Sequence, residues 1–223
     1  MAAVSPFSFF LVLSLFFSIS SAATFSVLNN CSYVVWAASY PGGGSRLDPS
    51  QSWSVDVPAG TKLARIWGRT NCTFDSSGSG SCLTGDCNGV LNCSDFGASP
   101  YTMGQFALNQ GDKDYYVISL VDGFNIPMTF GPTGSDCQGI SCTDMSIMEQ
   151  CPTELRTQGG CRNACQVFNT TEYCCGGGGS CSPTTYSEFY QKRCPDAYDY
   201  AQDGAGRVFT CPSGNNFQVT FCP

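Results

Sequence analysis

The residues that could do chemistry in this chain are cysteines, carboxylates and a few arginines, because histidine is absent. Without histidine, Ser-His-Asp and Cys-His nucleophile systems are excluded, as are histidine-ligated zinc sites. What remains for hydrolysis is a pair of carboxylates of the kind that cleaves glycosidic bonds. The 16 cysteines are Cys31, Cys72, Cys82, Cys87, Cys93, Cys137, Cys142, Cys151, Cys161, Cys165, Cys174, Cys175, Cys181, Cys194, Cys211 and Cys222. Cys161 and Cys165 resemble a metal-ligand pair, but an even count at this density in an exported chain reads as a disulfide framework. No metal and no cofactor are therefore expected. Composition does not choose among the many pairings that sixteen cysteines allow.

Charge narrows the partners further. A net charge of −7 and a pI near 4.3 oppose DNA, RNA and anionic membrane as electrostatic targets, because like-charged surfaces repel. The run GGGGS at Gly176–Ser180 lacks the Lys and the strand-to-helix setting of a phosphate loop. Between Cys175 and Cys181 it reads as a disulfide-closed turn.

The amino terminus sets the redox compartment. Phe7–Phe17 is an apolar run of about eleven residues, a signal-peptide core too short to span a bilayer. Ser20 and Ala22 fit a small-x-small rule for cleavage after Ala22, although MAAVSP carries no Lys or Arg. A signal peptide is expected over 1–22 and an exported chain over 23–223, with no transmembrane segment. The competing reading is an amino-terminal core helix.

The elements that must position any site are short strands divided by Gly, Pro and Asn turns. Phe25–Leu28, Tyr33–Ala38, Trp53–Val57, Lys62–Trp67, Tyr115–Val121 and Phe217–Phe221 have the composition or alternation of strands. Alternation places Leu63, Arg65 and Trp67 on one face. No long amphipathic helix period appears. Strands at both ends and in the middle, with cysteine-dense stretches between, predict a mainly β chain. The expected form is one β-sandwich carrying two disulfide-stapled excursions, at about 71–100 and 144–194. The sandwich would draw on about 23–70, 101–143 and 195–223.

The run Gly78–Cys93, GSGSCLTGDCNGVLNC, resembles the signature of thaumatin-like proteins. ARIWGRTNC (Ala64–Cys72), ISLVDGFNIPM (Ile118–Met128), CPTELRTQGGC (Cys151–Cys161), YCC (Tyr173–Cys175), CPDAY (Cys194–Tyr198) and the terminal Phe221-Cys222-Pro223 are similar to the same family. The resemblance implies a three-domain arrangement around a flattened β-sandwich. It also implies a connectivity: Cys31–Cys222, Cys72–Cys82, Cys87–Cys93, Cys137–Cys211, Cys142–Cys194, Cys151–Cys161, Cys165–Cys174 and Cys175–Cys181.

By the same resemblance the function is that of a pathogenesis-related plant defence protein. Such a protein is secreted to the apoplast, is monomeric, binds β-1,3-glucan or another fungal cell-surface component, and permeabilises fungal membranes. The implied site is an acidic cleft lined by an Arg, a Glu and three Asp. On this sequence the Arg is Arg65, and two of the Asp are Asp122 and Asp196. The Glu position falls on Gln105 and the remaining Asp on Val117, so the family's three net negative charges fall to one. Gln105 still hydrogen-bonds but moves no proton at neutral pH, and Val117 does neither. Binding without catalysis is the leading expectation. The alternatives are a weak endo-β-1,3-glucanase and an inhibitor or stress protein with a degenerate cleft.

Three finer expectations concern single positions. Asp86, inside the signature, should accept backbone N–H bonds in a tight disulfide loop. Strict alternation puts Val117 and Asp122 on opposite faces, so a shared site requires a break near Val121. Of the sequons at Asn30, Asn71, Asn92 and Asn169, the first three hold a cysteine in the middle. A glycan is therefore expected at Asn169.

Overall fold

The computed structural model describes residues 22–134, 137–176, 181–203 and 206–223. All of the predicted signal segment before Ala22, and most of the glycine-rich turn after Cys175, lie outside these residues.

In chain order the strands are β1 (Ala23–Asn29), β2 (Val35–Tyr40), β3 (Gly43–Leu47), β4 (Ser52–Val57), β5 (Ala64–Arg69), β6 (Thr73–Phe74), β7 (Gly80–Ser81), β8 (Met103–Ala107), β9 (Lys113–Ser119) and β10 (Met128–Pro132). They continue as β11 (Ile140–Cys142), β12 (Arg156–Thr157), β13 (Gly160–Cys161), β14 (Ala197–Tyr198), β15 (Phe209–Pro212) and β16 (Phe217–Phe221). Four short helices are α1 (Ser146–Glu149), α2 (Ala164–Phe168), α3 (Thr171–Cys174) and α4 (Thr185–Arg193).

Two sheets face each other. One runs β11-β10-β16-β1-β4 and the other β14-β9-β8-β5-β2-β3, with β15 also on β9. The period-2 alternation that marks a half-buried strand is clear in β1, where Ala23, Phe25, Val27 and Asn29 are buried and the residues between are not. Phe25 sits at the centre of the interior: its ring stacks on Phe106 at 4.2 Å and on Phe217 at 5.0 Å between centroids. These rings come from β1, β8 and β16, so the first and last strands share one core. Burying such aromatic faces is the main stabilising term for a sandwich of this kind. Asn29 is buried among them, with its amide donating to Tyr33 O and Leu47 O, both at 2.9 Å. β1 and β16 pair in parallel, and the Cys31–Cys222 disulfide closes their ends over a separation of 191 residues.

A second, smaller cluster lies on the outer side of the longer sheet. Ala38, Trp67, Tyr101 and Met103 pack there against Cys87 and Cys93, beneath the segment that holds the β6–β7 hairpin. Trp67 donates to Gly85 O at 2.8 Å. Arg69 is fully buried and donates to four carbonyl oxygens, Trp36 O and Ala37 O in the sheet and Val90 O and Leu91 O in the loop. Burial pushes its guanidinium down to about 10, against the opposing pull of Asp86. Asp86 accepts from Cys82 N at 2.9 Å and Gly89 N at 2.8 Å, which is how a carboxylate holds a tight loop that has little else to bury.

The residues of a third region, from α1 to α4, form no extended sheet; β12 and β13 make one short ladder. Disulfides Cys151–Cys161, Cys165–Cys174 and Cys175–Cys181 lie within it, while Cys142–Cys194 ties it to the sandwich. Cys72–Cys82, Cys87–Cys93 and Cys137–Cys211 make up the rest, and no free cysteine is present among the described residues.

The strand boundaries differ from the sequence expectation in an instructive way. Residues 33–34 and 62–63 fall outside strands, and the strand from Tyr115 ends at Ser119 rather than Val121. Leu63 takes a left-handed backbone, φ 53°, which no extended strand contains. Strands β3, β8 and β10 carry Gly, Gln or Pro in a weak pattern and are formed by their pairing partners rather than by propensity.

Candidate functional site

Three of the five resemblance-derived positions stand in one row across three strands. Arg65 on β5 pairs with Gln105 on β8, and Gln105 pairs with Val117 on β9. Directly opposed residues on one face lie about 5 Å apart at Cβ, so these side chains are immediate neighbours. The break required to bring Asp122 to them is present. After β9 ends, Leu120–Gly123 forms a turn with Gly123 N donating to Leu120 O at 2.9 Å. Gly123 has φ +98°, and a Cβ there would come within 2.5 Å of Cys161 O, so only glycine fits.

That turn is held on three sides. Ser99 Oγ and Tyr101 N donate to the Asp122 carbonyl at 2.8 and 3.2 Å. Phe124 and Cys161 exchange both backbone hydrogen bonds at 2.8 Å. Asn163 caps α2 by accepting from Cys165 N at 3.0 Å, while its amide donates to Leu120 O and Asp199 O. The cap therefore sets both the helix and its docking against the turn.

The Asp122 carboxylate is correspondingly well occupied. Oδ2 accepts from the Tyr101 hydroxyl at 2.9 Å and from Arg65 Nη1 at 3.4 Å, and Oδ1 accepts from Gln166 Nε2 of α2 at 3.0 Å. Arg65 also donates to the Tyr101 hydroxyl at 3.1 Å, and its guanidinium carbon lies 3.8 Å from the Phe96 ring centroid. Burial, with the Asp122 charge second, pushes the Tyr101 phenol well above its ordinary range. The Arg65–Asp122 pair is only 18% exposed on either side, a setting in which a charge pair is screened far less than at an open surface.

Two recesses flank this cluster. One, of about 100 Å³, lies between the turn and the cysteine-rich region, lined by Asp122, Asn163, Gln166, Tyr173 and Tyr200 among others. The other, of about 290 Å³, opens beside Gln105 and Val117.

Asp196 is elsewhere. It immediately precedes β14, and its Oδ2 accepts from Ser141 N at 3.2 Å and lies 3.5 Å from Ser141 Oγ. The carboxylate thus ties the β14 edge to β11, and it lines neither recess. The structure brings together Arg65, Gln105, Val117 and Asp122, and it gives Asp196 a structural partner. Asn169, the expected glycan position, ends α2 with φ 49° and is exposed. No group of three or more His, Cys, Asp or Glu among the described residues is arranged to hold a metal ion.

Comparison with known proteins decides the kinship. A profile of the thaumatin family matches residues 29–223. The chain belongs to the thaumatin family. A thaumatin-like protein of Actinidia deliciosa is 52% identical over 215 residues, covering 96% of this chain and 95% of that one. A pathogenesis-related thaumatin-like protein of Cryptomeria japonica is 51% identical over 207 residues, covering 90% of this chain and 88% of that one. Among solved structures, a thaumatin-like xylanase inhibitor shares 25% identity with a TM-score of 0.52, over 89% of this chain and 99% of that one.

Within this thaumatin-family chain, sequence reasoning missed Tyr101, Phe96 and Gln166. Each contributes to the Asp122 cluster from an irregular or short segment whose docking no periodicity announces. A tyrosine immediately after a disulfide-stapled excursion was the available hint, because a buried phenol needs a partner.

Proposed function

We propose that this is a secreted defence protein that binds a neutral polysaccharide of the fungal surface, β-1,3-glucan, through the Asp122 cleft, permeabilises fungal membranes, and does not hydrolyse the glucan. The observation that carries the reading is the composition of the assembled site. Among the described residues Asp122 is the one carboxylate in it, and both of its oxygens are engaged by Arg65, Tyr101 and Gln166. Hydrolysis by two carboxyl groups requires them to be about 5–10 Å apart across the scissile bond. Here the neighbouring positions are Gln105 and Val117, and Asp196 is turned to Ser141. Amide, phenol and carboxylate groups around one recess suit hydrogen bonding to uncharged hydroxyls.

Export is supported by the eight disulfides, which persist in oxidising compartments. No described helix is long and apolar enough to cross a membrane. The defence role rests on kinship with a pathogenesis-related relative. The deciding experiment is retention on insoluble β-1,3-glucan against a cellulose control. Equal retention on both, or on neither, would reject the reading, and release of reducing sugar from linear β-glucan would establish the hydrolase instead.

A second reading, inhibition of a carbohydrate-active enzyme, is favoured by the likeness to the xylanase inhibitor. A xylanase assay with and without the protein tests it.

A further inference from the structure

The recess beside Gln105 and Val117 has a character that polysaccharide binding does not call for. Its walls include Leu63, Ala107, Tyr115, Val117 and Val208, and no charged side chain lines it among the described residues. Leu63 is 67% exposed, Val208 46% and Tyr115 37%, so three of the seven large exposed apolar side chains of the described chain converge on one groove. Clustering of this kind on a soluble surface marks a binding site, whereas single exposed apolar residues do not. Leu63 adds an independent sign. It holds a left-handed backbone, a conformation that costs a non-glycine residue energy and that Asn, Asp or Gly would tolerate better. A leucine there is unfavourable both for its backbone and for its exposure, so neither folding nor solubility explains it.

We propose that this groove binds a small neutral apolar molecule, an aromatic or alicyclic skeleton with at most one or two hydrogen-bonding groups. The volume of about 290 Å³ lies at the lower end of small-molecule sites, which run from about 300 to 1,000 Å³ and pair apolar walls with a few polar groups. Here the lining residues that carry polar side-chain groups are Gln105, Tyr115, Tyr116 and Tyr198. Charge selects the occupant. An anion meets a protein of net charge −7, and a cation finds no acid in the walls. A sugar segment fits poorly, because hydroxyls buried against Leu, Val and Ala lose their hydration without replacement. The row Arg65–Gln105–Val117 is the border: polar on the Arg65 side, apolar on the Val117 side. The inference goes beyond the polysaccharide reading and does not depend on it.

The test uses the folded, disulfide-intact protein and the neutral fluorophore N-phenyl-1-naphthylamine. Saturable one-to-one binding with enhanced emission is expected. Val117→Asp should weaken it by about tenfold or more, since a carboxylate would stand in the apolar wall. Leu63→Asp should weaken it similarly without endangering the fold, because the position is exposed and Asp accepts its backbone conformation. Absence of saturable binding, or binding unchanged in both variants, would overturn the proposal. So would displacement of the probe by a linear β-1,3-gluco-oligosaccharide, which would assign the groove to the polysaccharide. Retention on insoluble glucan without the probe reports separately on the polysaccharide reading.

Discussion

Gln105 stands directly opposite Arg65 across the β5–β8 pair, at the position where the family resemblance implies a glutamate. The neutral amide leaves Asp122 and Tyr101 as the hydrogen-bonding partners of Arg65. Gln105→Glu together with Val117→Asp would set two acids in the same row as Arg65. Charge-assisted bonds to sugar hydroxyls are about twice as strong as neutral ones, so β-glucan binding should tighten by ~1–3 kcal/mol. Binding should also fall more steeply as pH drops through the carboxylate range. Isothermal titration with a soluble β-1,3-glucan measures both effects, and an unchanged affinity would place the glucan outside this cleft. Fluorophore binding in the adjoining groove should weaken in the same double variant, so the two ligands respond with opposite sign.

Asp122→Asn tests whether the cluster is a structural clamp as well as a binding wall. The substitution keeps the shape but leaves the Arg65 guanidinium, 18% exposed, without its counter-charge. Losing one partner of a largely buried pair costs more than the pair contributes, and a loss of about 1–3 kcal/mol is expected here. Denaturant unfolding should show it as a lower midpoint with an unchanged slope. Arg65→Met, which removes the opposing charge, should restore part of that loss in the double variant. Additive losses would show that the two groups are not coupled.

The disulfide framework predicts an intact mass about 16 Da below that of the fully reduced chain, one hydrogen for each cysteine. Cys31–Cys222, closing 191 residues, should contribute the most stability. In the loop-entropy picture a bridge of that span is worth roughly 5 kcal/mol, and bridges over 6–10 residues less. Replacing both Cys31 and Cys222 by Ser should therefore lower Tm more than replacing both Cys72 and Cys82. The reverse order would mean that the local staples, not the outer closure, limit unfolding. A chelator should leave Tm unchanged.

Peptide mapping should find any glycan at Asn169. This asparagine ends α2 at an exposed position. Asn30, by contrast, already donates its amide to Cys222 O at 2.9 Å, and each of the other three sequons contains a disulfide-bonded cysteine. Sugar found only at those three would contradict the expectation.

Legibility followed local physics. β1, β4 and β16 were visible because their alternation is driven by burial against a single core. β8 was not, since Met103-Gly104-Gln105-Phe106-Ala107 has little intrinsic strand preference and is made a strand by β5 and β9 on either side. The same limit governs the site. Arg65 and Asp122 could be placed through motifs, and the need for a break near Val121 could be stated, but the turn itself depends on the absence of a Cβ at Gly123 beside Cys161 O, a proximity across 38 residues. The diversion of Asp196 to Ser141 is likewise a tertiary event, and no spacing within CPDAY encodes it.

The final prediction concerns a buried acid outside the cleft. Asp199 is 1% exposed and its neighbour Asp203 5%. Asp199 Oδ1 accepts from Gln191 Nε2 at 3.3 Å, and its backbone N donates to Asp203 Oδ2 at 3.3 Å. Arg207 pairs with Asp203, and the charge of Asp199 adds to burial in raising the Tyr190 phenol. Burial first, then the hydrogen bond and charge of Asp203, push the Asp199 carboxyl up to about 8, against the pull of Gln191 and Arg207. Below about pH 4 the carboxyl is protonated in both the folded and the unfolded chain and contributes no slope. Between about pH 4 and 8 the unfolded chain releases the proton and the folded chain keeps it, so stability falls as pH rises, by at most about 1.4 kcal/mol per pH unit. Asp75 and Asp144, whose carboxyls are held low by hydrogen bonds from Ser77 and Ser146, lose their contribution on the acid side and leave this window clear. Urea unfolding at pH 5, 6, 7 and 8 should therefore show a downward slope that Asp199→Asn flattens, with the variant gaining on the wild type as pH increases. Parallel pH profiles for the two proteins would mean that Asp199 is already ionised in the fold and that Arg207, rather than a retained proton, balances the pair.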